Sequence, residues 1–100
     1  MQEILLHIEK MNKGNFDNFG SLFSKYRASE GIRMPDTTLL SRLREVAFSK
    51  NPAYEVYLGK IGLECVAYVI IMMSYSMVIA SPILIVDELF VLEDFRMVPP

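Results

Sequence analysis

Histidine and cysteine are the side chains that most often bind zinc, and the sequence holds one of each, His7 and Cys65. They lie far apart, and neither has a second ligand at the spacing of a zinc motif. We therefore predict no metal site. Cys65 lies in an apolar run, where a thiol usually packs as a small hydrophobic group. We expect His7 at the edge of an apolar helix face.

Nucleophilic catalysis requires a serine or cysteine beside a base that a third group orients. Ser74, Ser76 and Ser81 lie among apolar residues with no base nearby in the sequence. Small hydroxyl residues in such a setting commonly bond to helix backbone or allow close helix packing. The sequence therefore predicts no catalytic residue and no cofactor, and we expect a chain that is not an enzyme.

Asp87 and Glu88 follow the apolar residues 83–86. This segment resembles the strand and acidic pair that hold magnesium in P-loop nucleoside triphosphatases. That family also needs a GxxxxGK[ST] loop to bind phosphates, and the chain has none. We interpret the two acids as the solvated end of the apolar run.

A second resemblance covers residues 13–19, whose sequence is Lys-Gly-Asn-Phe-Asp-Asn-Phe, together with Leu22 and Tyr26. It is similar to the opening helix of region 2 of bacterial sigma factors. The acidic, promoter-melting helix of that family does not follow. The resemblance therefore implies neither promoter binding nor a role for any residue.

Residues 1–60 are predicted to form three short amphipathic helices. Ile4, Leu5, Ile8 and Met11 recur at helical spacing and predict the first helix. The second and third helices have apolar faces that we expect to pack on each other or on a partner. The residues of this candidate interaction face are Phe16, Phe19, Phe23, Tyr26, Leu39 and Leu43.

The basic residues of the same region form a candidate basic face, which consists of Lys25, Arg27, Arg33, Arg42 and Arg44. Nine of the ten Lys and Arg residues lie in residues 1–60, but the sequence pI is only about 5.3. Nucleic-acid-binding domains usually have a concentrated basic patch and a high pI. We therefore do not expect a nucleic-acid partner.

Residues 65–86 contain no charged side chain. A helix of about 20 apolar residues can cross the ~30 Å hydrocarbon core of a membrane, so we predict a long apolar helix that is a possible single transmembrane span. Two alternatives stay open. The run can form the central helix of a soluble core, or residues 65–91 can be buried strands of a soluble α+β fold, since many of them are β-branched.

We therefore expect a mainly α chain with a helical domain at 1–60, an apolar segment at 61–86 and an acidic tail at 87–100. The expected function is that of a non-catalytic, membrane-anchored accessory or interaction subunit that acts by helix packing in a larger complex. The basic N-terminal side predicts an N-terminus in the cytoplasm or matrix. The alternative is a cytoplasmic, helical regulatory or inhibitor protein that binds another protein or self-associates.

Overall fold

Two helices and one four-stranded sheet make up the computed structural model, which describes residues 5–96. Their order is β1 (Leu6–Lys10), α1 (Phe16–Ser29), α2 (Thr37–Ala47), β2 (Glu55–Ile61), β3 (Glu64–Ser76) and β4 (Ser81–Val91), followed by the 3-10 turn Glu93–Phe95. The sheet is antiparallel throughout, in the order β1-β2-β3-β4. The fold is therefore α+β, and the prediction of a mainly α chain is wrong.

The apolar run at 65–86 is not a helix, because it forms most of β3, a turn and the first half of β4. Tyr68 and Ile70 point toward the helices and are buried, while the alternate residues Val69 and Ile71 lie half-buried on the opposite face. A strand with apolar residues on both faces reads as a continuous hydrophobic sequence. Its backbone groups are paired with β2 on one side and β4 on the other.

The membrane anchor was predicted from this segment alone. Among residues 5–96, no helix has both the length and the apolar character that a membrane span requires. The predicted membrane location, with an N-terminus in the cytoplasm or matrix, is therefore wrong.

The predicted first helix is also wrong, because Leu6–Lys10 is a strand that pairs antiparallel with β2. In this strand Leu6 and Ile8 share one face, and His7 and Glu9 share the other. Ile4, which contributed to the helical pattern, lies outside the described residues. Strand pairing with β2 outweighs the helical spacing of only a few apolar residues.

A side chain caps α2, and another orders the turn before α1. The Asn15 Oδ1 atom accepts the Asn12 N–H at 2.7 Å, and the Asn15 amide donates to Glu9 at 3.2 Å, so the turn before α1 is tied to β1. The Asp36 carboxylate accepts the Leu39 N–H at 2.8 Å and caps α2.

The core lies between the helices and one face of the sheet. The Phe19 ring of α1 meets the Tyr68 ring of β3 edge-on, with the centroids 5.1 Å apart, and Phe23 stacks beside Phe19 at 5.4 Å. Phe90 of β4 completes the cluster at 5.8 Å from Tyr68. Such aromatic pairs add about 0.5–1.5 kcal/mol each beyond the burial of their area.

Leu58→Ala tests how far the β2 residues stabilise this core. Leu58 is 0% exposed, so we expect the free energy of unfolding to fall by about 2–5 kcal/mol in urea denaturation. Leu63→Ala is the matched control, because Leu63 is 102% exposed in the turn after β2 and its loss should change stability by less than about 0.5 kcal/mol. Equal effects of the two variants would contradict the described register.

Candidate functional site

A β-bulge in β4 determines where two adjacent carboxylates lie. Ile70 of β3 pairs with Glu88, but the next residue, Ile71, pairs with Val86, so Asp87 has no partner on β3. Successive side chains of a regular strand point to opposite faces of the sheet, whereas a bulge changes this alternation locally. As a result both Asp87 and Glu88 line the same cleft.

The cleft has a volume of about 220 Å³ and lies between the two helices and the sheet. Its two acids are accompanied by apolar and aromatic walls from α1, α2, the loop before β2, and β3. The wall residues are Phe19, Phe23, Leu43, Tyr54, Ile70 and Met72. A small concave site with apolar walls and a few convergent polar groups is typical of ligand binding.

Tyr68 holds one of the two acids in place. Its side chain is buried, and its hydroxyl donates to Glu88 Oε2 at 2.6 Å. Burial, and next the hydrogen bond to Glu88, raise the pKa of the Tyr68 phenol above its usual range. The phenol therefore stays a hydrogen-bond donor at neutral pH. One Glu88 oxygen is fixed by this bond, which leaves Oε1 available to a ligand.

Tyr54 closes the cleft on the side of α2. Its hydroxyl donates to the Leu43 carbonyl of α2, and burial raises the pKa of Tyr54 to about 12. No residue of α2 is itself fully buried. This hydrogen bond ties α2 to the residue just before β2, at one side of the cleft.

The candidate interaction face is divided between the core and the cleft. Phe16, Phe19 and Phe23 are buried against the chain's own sheet. Tyr26 is half-buried against Phe90, with the ring centroids 5.8 Å apart. Leu39 and Leu43 of α2 are half-buried and pack on the same core, and Leu43 also lines the cleft.

The candidate basic residues are spread over α1, α2 and the loop between them. Arg27 stacks on Phe23 with its guanidinium carbon 5.4 Å from the ring centroid, and it donates to the Arg33 carbonyl at 2.6 Å. Arg44 lies 5.3 Å from the Phe16 ring centroid. Lys25 and Arg42 are exposed. None of the five lines the acidic cleft.

His7 and Cys65 stay apart from the acids. His7 borders the ion pair between Lys60 and Glu9, whose Nζ and Oε1 atoms are 2.8 Å apart. Cys65 is half-buried, and burial raises the pKa of its thiol. Within residues 5–96, no group of three or more His, Cys, Asp or Glu side chains is placed to hold a metal ion.

Asp87 and Glu88 were not predicted as site residues, because they were interpreted as the solvated end of an apolar run. Asp87 is exposed, but Glu88 is half-buried and hydrogen-bonded to Tyr68. The sequence did contain one signal, since two acids lie within a stretch rich in β-branched residues. Acidic residues are disfavoured in strands, so their presence there indicates a role other than strand formation. The bulge that brings them together has no sequence signature of its own.

Solved acetyltransferase structures share this fold. A ribosomal-protein-alanine N-acetyltransferase from Brucella melitensis biovar Abortus 2308 superposes with a TM-score of 0.72 at 21% identity, covering 92% of this chain and 61% of its own. A GNAT family acetyltransferase from Staphylococcus aureus gives 0.71 at 12% identity, covering 91% and 65%. An aminoglycoside N-acetyltransferase in complex with CoA gives 0.73 at 17% identity, covering 95% and 60%.

No protein-family model and no curated protein matches the sequence. The chain spans about three fifths of the length of the matched structures. At these identities the likeness establishes a GNAT-like α+β fold. The described residues form an α+β fold without a membrane-spanning helix, so the predicted membrane-anchored subunit and its helical alternative are both wrong. The prediction that the chain is not an enzyme is contradicted as well, because N-acetyltransferases use the same fold.

Tyr68→Phe tests the hydrogen bond that orders Glu88. We expect the free energy of unfolding to fall by about 1.5–3 kcal/mol at pH 7, since the variant leaves a half-buried carboxylate without its donor. Tyr57→Phe is the matched control, because the Tyr57 hydroxyl makes a longer, 3.3 Å bond to the partly exposed Glu55 carboxylate. The free energies are measured by thermal unfolding. Equal losses of stability in the two variants would show that the Tyr68 hydrogen bond is no more stabilising than the Tyr57 one.

Proposed function

We propose that this chain carries the amine-binding part of an N-acetyltransferase. The observation that supports the proposal is the bulge in β4, which places Asp87 and Glu88 together in a cleft. The fold around that cleft is the one found in solved N-acetyltransferases. A pair of carboxylates beside apolar walls suits a substrate that arrives as an ammonium ion and must lose a proton before it reacts.

The chemistry assigned to the two acids is binding followed by proton removal. An ammonium group is attracted by the carboxylates, and the apolar surroundings strengthen that attraction relative to bulk water. One carboxylate then takes a proton from the ammonium, which gives the nitrogen a free electron pair. Tyr68 keeps Glu88 in a fixed position during this step through its 2.6 Å hydrogen bond.

Acetyl-CoA would supply the activated acetyl group for the amine nitrogen, and its sulfur would leave as a thiolate that takes up the proton lost by that nitrogen. The described residues fit the amide-containing arm of this donor, because β4 is paired with β3 on one side only within residues 5–96. Free peptide groups on an edge strand bond readily to an extended, amide-bearing ligand. No glycine follows Gly62 in these 100 residues, so they provide no glycine-rich turn for the phosphates.

The test is an acetyl-transfer assay with acetyl-CoA and a panel of primary amines. The release of the CoA thiol and the mass of the acetylated product are both measured. One of the two carboxylates is the proton acceptor in this proposal. We therefore expect at least one of the variants Glu88→Gln and Asp87→Asn to lower kcat/KM by about 100-fold or more.

Glu64→Gln serves as the control, because Glu64 is an exposed acid at the start of β3, away from the cleft. This variant should retain the activity of the unaltered chain. The absence of acetylated product with every amine would refute the proposal. So would full activity in both cleft variants.

A further inference from the structure

We infer that the acceptor bound in the cleft is a small primary amine with a single positive charge on an apolar body of roughly eight non-hydrogen atoms. This inference rests on the proposed function, since it names the substrate class of the same site. It depends on three properties of the cleft: its volume, the chemistry of its walls and the sign of its charges.

The volume limits the size of the ligand. A water molecule occupies about 30 Å³ in the liquid, and the cleft measures about 220 Å³. It therefore holds on the order of seven waters, or a ligand with a similar number of non-hydrogen atoms. The cleft is open to solvent on one side, so most of a multi-ring sugar or of a protein would lie outside it.

The walls limit the polarity of the ligand. The edge of Phe23 presents aromatic surface, backed by the buried Phe19, and Leu43, Ile70 and Met72 present aliphatic surface and a thioether. A second ammonium group or a set of hydroxyls placed against these walls would lose its hydration without gaining a partner. Polyamines and polyhydroxylated amines are thus disfavoured relative to a monoamine with an apolar body.

The charges determine which end of the ligand points to β4. Asp87 and Glu88 are the ionisable acids of the cleft, and no Lys, Arg or His is among the described residues that line it. A carboxylate or phosphate on the ligand would meet only like charge. The ammonium group therefore lies at β4, and the apolar body extends toward α1 and α2.

The inference is tested by binding in the absence of acetyl-CoA. The chain is titrated with 2-phenylethylamine and with its uncharged analogue 2-phenylethanol, and the methyl NMR signals of Leu43, Ile70 and Met72 are followed. Leu63 and Met77, which are exposed elsewhere, serve as internal controls. We expect the amine to bind at least about tenfold more tightly than the alcohol and to shift only the cleft methyls.

Two variants separate the charge of the cleft from its shape. In the double variant Asp87→Asn with Glu88→Gln, we expect the amine and the alcohol to bind equally, whereas Glu64→Gln should keep the preference. Leu43→Phe partly fills the cleft and should weaken both ligands several-fold without changing their ratio. A ratio near one in the unaltered chain overturns the inference, as does tighter binding of spermidine or 3-phenylpropionate at the same methyls.

These results are distinguishable from those of the acetyl-transfer assay. If 2-phenylethylamine binds at the cleft but no amine is acetylated, the substrate class stands and the proposed function fails. If spermidine is acetylated and 2-phenylethylamine neither binds nor reacts, the substrate class fails and the proposed function stands.

Discussion

The packing of Phe19 against Tyr68 is the contact on which the rest of the molecule depends. Phe19 is fully buried and anchors α1 to the centre of the sheet, and Tyr68 extends from that contact to Glu88. The Tyr68 side chain thus belongs to the hydrophobic core through its ring and to the polar site through its hydroxyl. A change in the position of α1 on β3 would therefore alter the geometry of the carboxylates as well as the stability of the core.

The two helices could be predicted from the sequence, whereas the strands within residues 65–91 were raised only as an alternative to a membrane helix. Phe16–Ser29 and Thr37–Ala47 have apolar residues at helical spacing, and Asp36 has the side chain that a helix start favours. β3 gave no such pattern, because its residues are apolar on both faces and the alternation that marks a half-buried strand is lost. The length of the run favours a membrane helix, whereas its β-branched residues favour strands.

The acidic site was missed for a different physical reason. Asp87 and Glu88 are adjacent, and in a regular strand adjacent residues face opposite sides of the sheet. No reading of residue types alone would bring them into one cleft. Tyr68 was equally hidden, since a tyrosine within an apolar run is usually a core residue and only its partner on β4 gives its hydroxyl a role.

The bulge at Asp87 also means that the side chains facing the cleft depend on the number of residues in β4 as much as on their types. Deleting Val86 would remove the bulge and restore the regular alternation, so that Asp87 and Glu88 would face opposite sides of the sheet. The amino-acid composition of the strand would hardly change, yet its ability to bind a cation with two carboxylates would be lost. In such a strand, insertions and deletions are a more direct evolutionary route to a new ligand preference than point substitutions.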